Sequence, residues 1–331
     1  MSRRASITLQ LAVLALAAAG GGCGSSSERT AQPDEAAAIQ TTASFATPQQ
    51  RFALYEPPAD EPYANGKRLA GRVAQQLATF PPRANTRELA RGQGTGGRRP
   101  IALERTVAPL LDPERRSSGE VVYVQLSGVT DTTLGAMVLV RQHLENAAGA
   151  REVVERVMDV RLRRTDGPWS LDRIASVGGT AIRRPERISR SAARVLDHPN
   201  IRLPDTARWD IYRGGIDAGL LRALADAADR WRLAVMVLST GHPPNVWAAG
   251  HPSAHSSGYA ADIYAVDRML VLRQRANGSS AQRLAAAFLA AGATQVGSPW
   301  TLPPGGRRSF TDRVHQDHIH VQQNRPSPPR G

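Results

Sequence analysis

The sequence predicts an α+β protein in which two domains, each built on its own sheet, follow a leader and a tether. Three observations carry this reading. Apolar residues recur at helical spacing early in the first domain, then give way to alternating β-branched runs separated by turn signals. A polar, arginine-rich stretch at 178–194 divides these from a second set of elements. That second set joins an amphipathic helix to short apolar strands and ends on histidine-rich segments. A chain of 331 residues has room for about two domains of this kind.

The first 22 residues read as a signal peptide. Arg3 and Arg4 precede an apolar run, Ile7–Ala19, that is too short to span a bilayer, and Gly20-Gly21-Gly22 supply small residues before Cys23. The pattern resembles a bacterial lipoprotein signal. It implies lipidation of Cys23 and a protein held by that anchor at the outer face of the cell membrane, or secreted if Cys23 stays unmodified. Residues 23–62 are rich in Ser, Gln, Ala and Thr and read as a flexible tether.

The first domain is expected over 63–177. Leu69, Val73, Leu77 and Phe80 mark a helix capped by Asn65 and stopped by Pro81-Pro82. Ile101–Leu111 marks a shorter helix, closed by Asp112-Pro113, and Arg91–Pro100 between them reads as a loop. Val121–Val129 and Leu134–Leu144 then alternate as strands, as do Val153–Leu162 and Trp169–Ile174 around the hairpin signal Thr165-Asp166-Gly167-Pro168. Helices followed by an antiparallel meander are similar to the cone-shaped nuclear-transport-factor-like fold. Nothing in this half gathers a catalytic set, so spacing or contact with an unidentified protein partner is its expected role.

After the linker at 178–194, a second domain is expected over 195–325, with a short tail at 326–331. Leu220, Leu221, Leu224, Ala228 and Trp231 share one face of a helix spanning Ile216–Trp231. Leu233–Leu238 is a continuous apolar run, as a strand buried on both faces requires. A second helix, Ala281–Ala291, is capped by Ser279 or Ser280 and stops at Gly292.

Charge and cysteine content exclude several functions. Lys+Arg total 42 against 29 for Asp+Glu, a net charge of +13, and Lys67 is the only lysine. The arginines are scattered and aromatics make up only 5%, so no basic, aromatic-interleaved platform for nucleic acid is present. One cysteine rules out an internal disulfide framework and a cysteine-ligated metal.

The chemistry concentrates in two segments, His251–Asp267 and His315–Val321. Strand side chains two apart share a face, which puts His318, His320 and Gln322 together, and Asp262 with Tyr264. Neighbouring strands can then bring Asp262 and His320 to one point. His255 enters from the preceding loop, where Gly258 allows a tight backbone path. Two histidines and a carboxylate are the ligand type and number of a catalytic zinc site with one position open.

Ser253-x-His255-x-x-Gly258-x-Ala260-x-Asp262, with a late His318-x-His320, resembles the zinc D-alanyl-D-alanine carboxypeptidase and dipeptidase family of the lysostaphin–Hedgehog metallopeptidases. The resemblance covers about Val195 to Gln323. It implies an antiparallel-sheet peptidase domain with zinc on His255, Asp262 and His320, acting on a peptidoglycan stem or cross-link peptide. Asp317 stands where the family carries its general base. His315-x-x-His318-x-His320 is also similar to penicillin-insensitive murein endopeptidases, in which the first histidine of the His-x-His pair assists catalysis. Asp317 and His318 are thus both candidates for the base. His242 stands where the family carries a substrate-binding arginine and is the third candidate catalytic residue. Ser253, Tyr264 and His315 are the candidate substrate contacts. The rival reading is a non-catalytic wall-binding lipoprotein that keeps the zinc fold.

Overall fold

Four strands form the first sheet as an antiparallel meander: β1 Arg115–Val129, β2 Thr133–Asn146, β3 Arg151–Arg163 and β4 Ser170–Ser176. These belong to a computed structural model that describes residues 45, 47–91, 100–247, 249–303 and 306–323. The leader, Cys23 and the tail lie outside the described residues, as does the 92–99 part of the expected loop. β1 starts at Arg115, ahead of the Val121 at which alternation begins. Its polar start is held by cross-strand pairing, with Arg116 Nη2 at 2.7 Å from a Glu145 carboxylate oxygen. Apolar periodicity is blind to such a segment.

Helix α1, Ala64–Leu77, lays Val73, Ala74 and Leu77 against this sheet. Asn65 does not cap it; its Oδ1 accepts a hydrogen bond from Arg68 at 2.6 Å. Phe80 falls beyond the helix and bridges to Ser117. Helix α2, Thr86–Arg91, was not expected. Its start is a reciprocal cap: Glu88 N–H donates to the Asn85 side chain at 3.0 Å, and Asn85 N–H to the Glu88 carboxylate at 3.3 Å. Helix α3, Pro100–Val107, continues into a 3-10 turn at Ala108–Leu110, close to the expected span.

The expected tether ends sooner than residue 62. The Gln49 amide donates to the Ser117 carbonyl at 2.6 Å, Ser118 Oγ donates to the Gln50 carbonyl, and Tyr55 and Glu61 are buried. Polar side chains bind this segment to the edge of the sheet, and composition alone does not reveal that.

The second sheet runs β10–β9–β11–β7–β6–β5, with β8 beside the end of β7. Its strands are β5 Ile201–Arg202, β6 Leu233–Val237, β7 Ala260–Val266, β8 Met269–Leu270, β9 Gln295–Gly297, β10 Ser309–Phe310 and β11 Ile319–Gln322. The centre is antiparallel, but β5 with β6 and β10 with β9 are parallel pairs. The expected antiparallel sheet is therefore a mixed one. Helices α4 Arg190–Leu196 and α5 Asp205–Tyr212 occupy stretches without a clear periodic signal; α6 Ala218–Ala228 and α7 Ser280–Ala290 match the expected pair. Ser189, Asp217 and Ser279 cap α4, α6 and α7 through their side chains.

One face of the second sheet sends Ala261, Ile263, Ile319 and Val321 into a core with Leu220, Leu224, Leu284 and Phe288. The other face meets the first sheet. Tyr123, Met137, Leu139 and Val157 pack there against Met236, Val237 and Tyr264. Both sheets belong to one compact unit, Ala43–Gly331. Among the described residues no helix is long and apolar enough to cross a membrane.

Candidate metal centre

The centre is assembled at the junction of β6, β7 and β11. In the antiparallel register Asp262 of β7 lies directly opposite His320 of β11, as alternation on neighbouring strands requires. His255 arrives on a 3-10 turn, Ala254–Ser257, capped by Ser253: the Ser253 hydroxyl accepts from His255 N–H at 3.3 Å. Gly258 ends that turn at φ 73°, and a Cβ there would stand 1.9 Å from the Gly215 carbonyl oxygen. Only glycine fits both the conformation and the space.

Three atoms converge. His255 Nε2 lies 3.2 Å from Asp262 Oδ1 and 3.1 Å from His320 Nδ1, and the last two are 3.0 Å apart. Ligands at 2.0–2.1 Å around a tetrahedral ion sit about 3.4 Å from one another. His255 Nδ1 is 2.8 Å from the Leu238 carbonyl, which can only accept, so Nδ1 carries a proton, and in the neutral ring Nε2 is left to offer a lone pair. A carboxylate oxygen likewise only accepts. The set is satisfied by a proton shared among these atoms or by a cation at its centre, and 3.0–3.2 Å is close to the separation of ligands around such an ion. Ring or carboxylate atoms of His242, His255 and Asp262 also fall within 4.8 Å of one another, another arrangement able to hold an ion.

The surroundings tune these groups. Burial acts to raise the Asp262 carboxyl, but His255 and His318 beside it hold it well below the usual carboxylate range. Burial draws His320 down to about 4 against the pull of Asp262. His242 stacks on His255 with ring centroids 4.0 Å apart, and burial together with that neighbour holds its imidazole neutral. It donates from Nδ1 to the Pro243 carbonyl at 2.7 Å. It therefore brings none of the positive charge that an arginine at this place would supply.

Asp317 lies in the loop just before β11, yet its oxygens face away from the ligands. Oδ2 accepts from Lys67 Nζ at 2.6 Å and from Leu126 N–H at 3.1 Å, and Oδ1 accepts from His318 Nδ1 at 2.6 Å. Burial acts to raise this carboxyl, but Lys67 and His318 outweigh it and hold it at about 2. For His318, burial acts downward and the two carboxylates Asp262 and Asp317 prevail, raising it. Its Nε2 stands 3.9 Å from Asp262 Oδ2. Of the two candidate bases, His318 is the one turned toward the ligands.

The remaining candidates divide. The His315 ring lies 4.9 Å from that of His318 and 5.7 Å from that of His320, held by Asp312 at 2.8 Å. Tyr264 is instead buried between the sheets, stacked on Tyr123 at 5.4 Å. Trp247 is an anchor: its ring fills the space left by Gly128 and Gly135 on the first sheet, and its Nε1–H donates to Thr133 Oγ1 at 3.1 Å.

Sequence reasoning missed what α1 and the first sheet bring. Lys67 from α1 bonds Glu61 and Asp317, and Gln125 from β1 donates to Asp262 Oδ2 at 2.8 Å. A lone lysine among so many arginines was the one available signal. No protein-family model matches the chain. Comparison with curated proteins finds no match, and comparison with solved structures finds none either.

Proposed function

We propose that the chain is an exported zinc peptidase that hydrolyses an amide bond in a peptidoglycan stem or cross-link peptide. The observation that carries this is the convergence of His255 Nε2, Asp262 Oδ1 and His320 Nδ1 at 3.0–3.2 Å with the His318–Asp317 pair alongside. In this reading the first domain is cone-like, the second is peptidase-like, and Cys23 carries the lipid that holds both at the cell envelope.

His255, Asp262 and His320 would hold the ion. Zinc there supplies a Lewis acid and lowers the pKa of water toward ~7. His318 does the proton work: Asp317 keeps its Nδ1–H in place, so Nε2 takes a proton from water and returns it to the leaving amine. His242, held neutral, and His315 flank the reacting carbonyl as hydrogen-bonding groups.

The test incubates the purified full chain with muropeptides, with and without chelator, and reads fragments by mass spectrometry. His255→Ala and Asp262→Ala are expected to lose both bound zinc and cleavage. Cleavage surviving in either variant rejects the assignment. The engagement of both Asp317 oxygens favours a second reading, a zinc-holding wall-binding lipoprotein without catalysis. Zinc and muropeptide binding with no new fragment is its signature.

A further inference from the structure

We infer that Gln125, on β1 of the first sheet, is a positioning residue of the metal centre, so that the first domain forms part of the metal site. This rests on the metal reading of His255, Asp262 and His320, but not on hydrolysis.

The geometry begins at Asp262. Its Oδ1 faces the two imidazoles, and its Oδ2 accepts the Gln125 amide hydrogen at 2.8 Å. A carboxylate so divided offers one oxygen to an ion and keeps the other for the amide, which fixes both its rotation and its monodentate mode. Gln125 is fully buried, and its own Oε1 has no hydrogen-bond partner among the described residues. Leaving a buried amide oxygen unpaired is costly. Rotating the amide end-for-end would set that oxygen against the Asp262 carboxylate, so the carboxylate fixes its orientation.

Two further contacts act in the same direction. Leu126 N–H, next to Gln125 on β1, and Lys67 of α1 both bond Asp317, which in turn orients His318. Three groups from the first domain thus hold Asp262 and Asp317 of the second. Metal-bound carboxylates depend on such outer partners, whose loss typically weakens metal binding by about 10–100-fold.

The experiment measures zinc affinity of the full chain by competition with a chromophoric chelator. Gln125→Met keeps the side-chain length and removes the donor; Gln125→Asn keeps the amide but withdraws it by one methylene. Both are expected to bind zinc about 10–100-fold more weakly than wild type. Melting curves in excess chelator identify which variants fold, and the affinity comparison uses those. Cobalt(II) in place of zinc adds a spectroscopic readout: release of Asp262 Oδ2 raises the coordination number and weakens the visible bands. A folded variant with wild-type affinity and an unchanged cobalt spectrum overturns the inference while the metal reading stands. A wild-type chain that binds no divalent ion overturns both.

Discussion

Lys67 is the most consequential single residue outside the candidate metal ligands. Its ammonium is completely buried and lies between the carboxylates of Glu61 and Asp317. Removing one member of a buried ionic cluster leaves uncompensated charge, which typically costs about 3–5 kcal/mol. Lys67→Met is expected to lose that much stability in urea titrations at neutral pH. Adding Glu61→Gln and Asp317→Asn should restore most of it by removing the charges left behind. Asp317 also sets an acid limit. Its folded carboxyl is held at about 2, below the ~3.9 of an unfolded chain. The stabilisation it gives is complete above the unfolded value and fades as pH falls through the folded one. It amounts to about 2–3 kcal/mol. Asp317→Asn should therefore flatten the stability profile between about pH 4 and pH 2, measured in chelator. An unchanged acid limb would show that Asp317 is not the responsible group.

Among the elements, the loop from Ser239 to Tyr259 has the most demanding geometry. At one end Gly258 combines φ 73° with a carbonyl oxygen where a Cβ would stand. Gly258→Ala must move the backbone, and strain of this sort costs about 1–3 kcal/mol. Because His255 sits three residues earlier, zinc affinity should fall together with melting temperature. A drop in melting temperature alone would separate the turn from the site. Midway, Trp247 is seated over Gly128 and Gly135. A methyl group at Gly128 would overlap the indole, so Gly128→Ala is expected to free this loop and speed its cleavage by a protease at low enzyme ratio. How much was legible follows the same division. His255, Asp262 and His320 could be read because their spacing within short segments maps directly onto a turn and two strands. The polar start of β1 and the short α4 and α5 could not, because paired charges and tertiary packing specify them and apolar periodicity does not.

At the scale of the molecule, the two sheets act as one body around a shared polar centre. Gln125 lies 137 positions from Asp262, and Lys67 lies 250 from Asp317. A single sequence does not say which residue pairs with which over such separations, even where a lone lysine stands out, which is why the first half read as a spacer. A divalent ion that binds only the folded chain stabilises it by mass action, about 2.7 kcal/mol at a hundred times the dissociation constant. The coupling should reach across the sheets. The Leu126 amide, bonded to Asp317, is expected to exchange its hydrogen more slowly with zinc than with chelator. Equal exchange rates would show that the first sheet does not sense the ion.

The chain offers a single ε-amine to acylating reagents, at Lys67, and the fold seals it completely. Labelling of that nitrogen can proceed only when α1 lifts away from the second sheet. Its rate is then a clock for the parting of the two halves, read from one modified peptide and free of the competing surface lysines that confuse such measurements elsewhere.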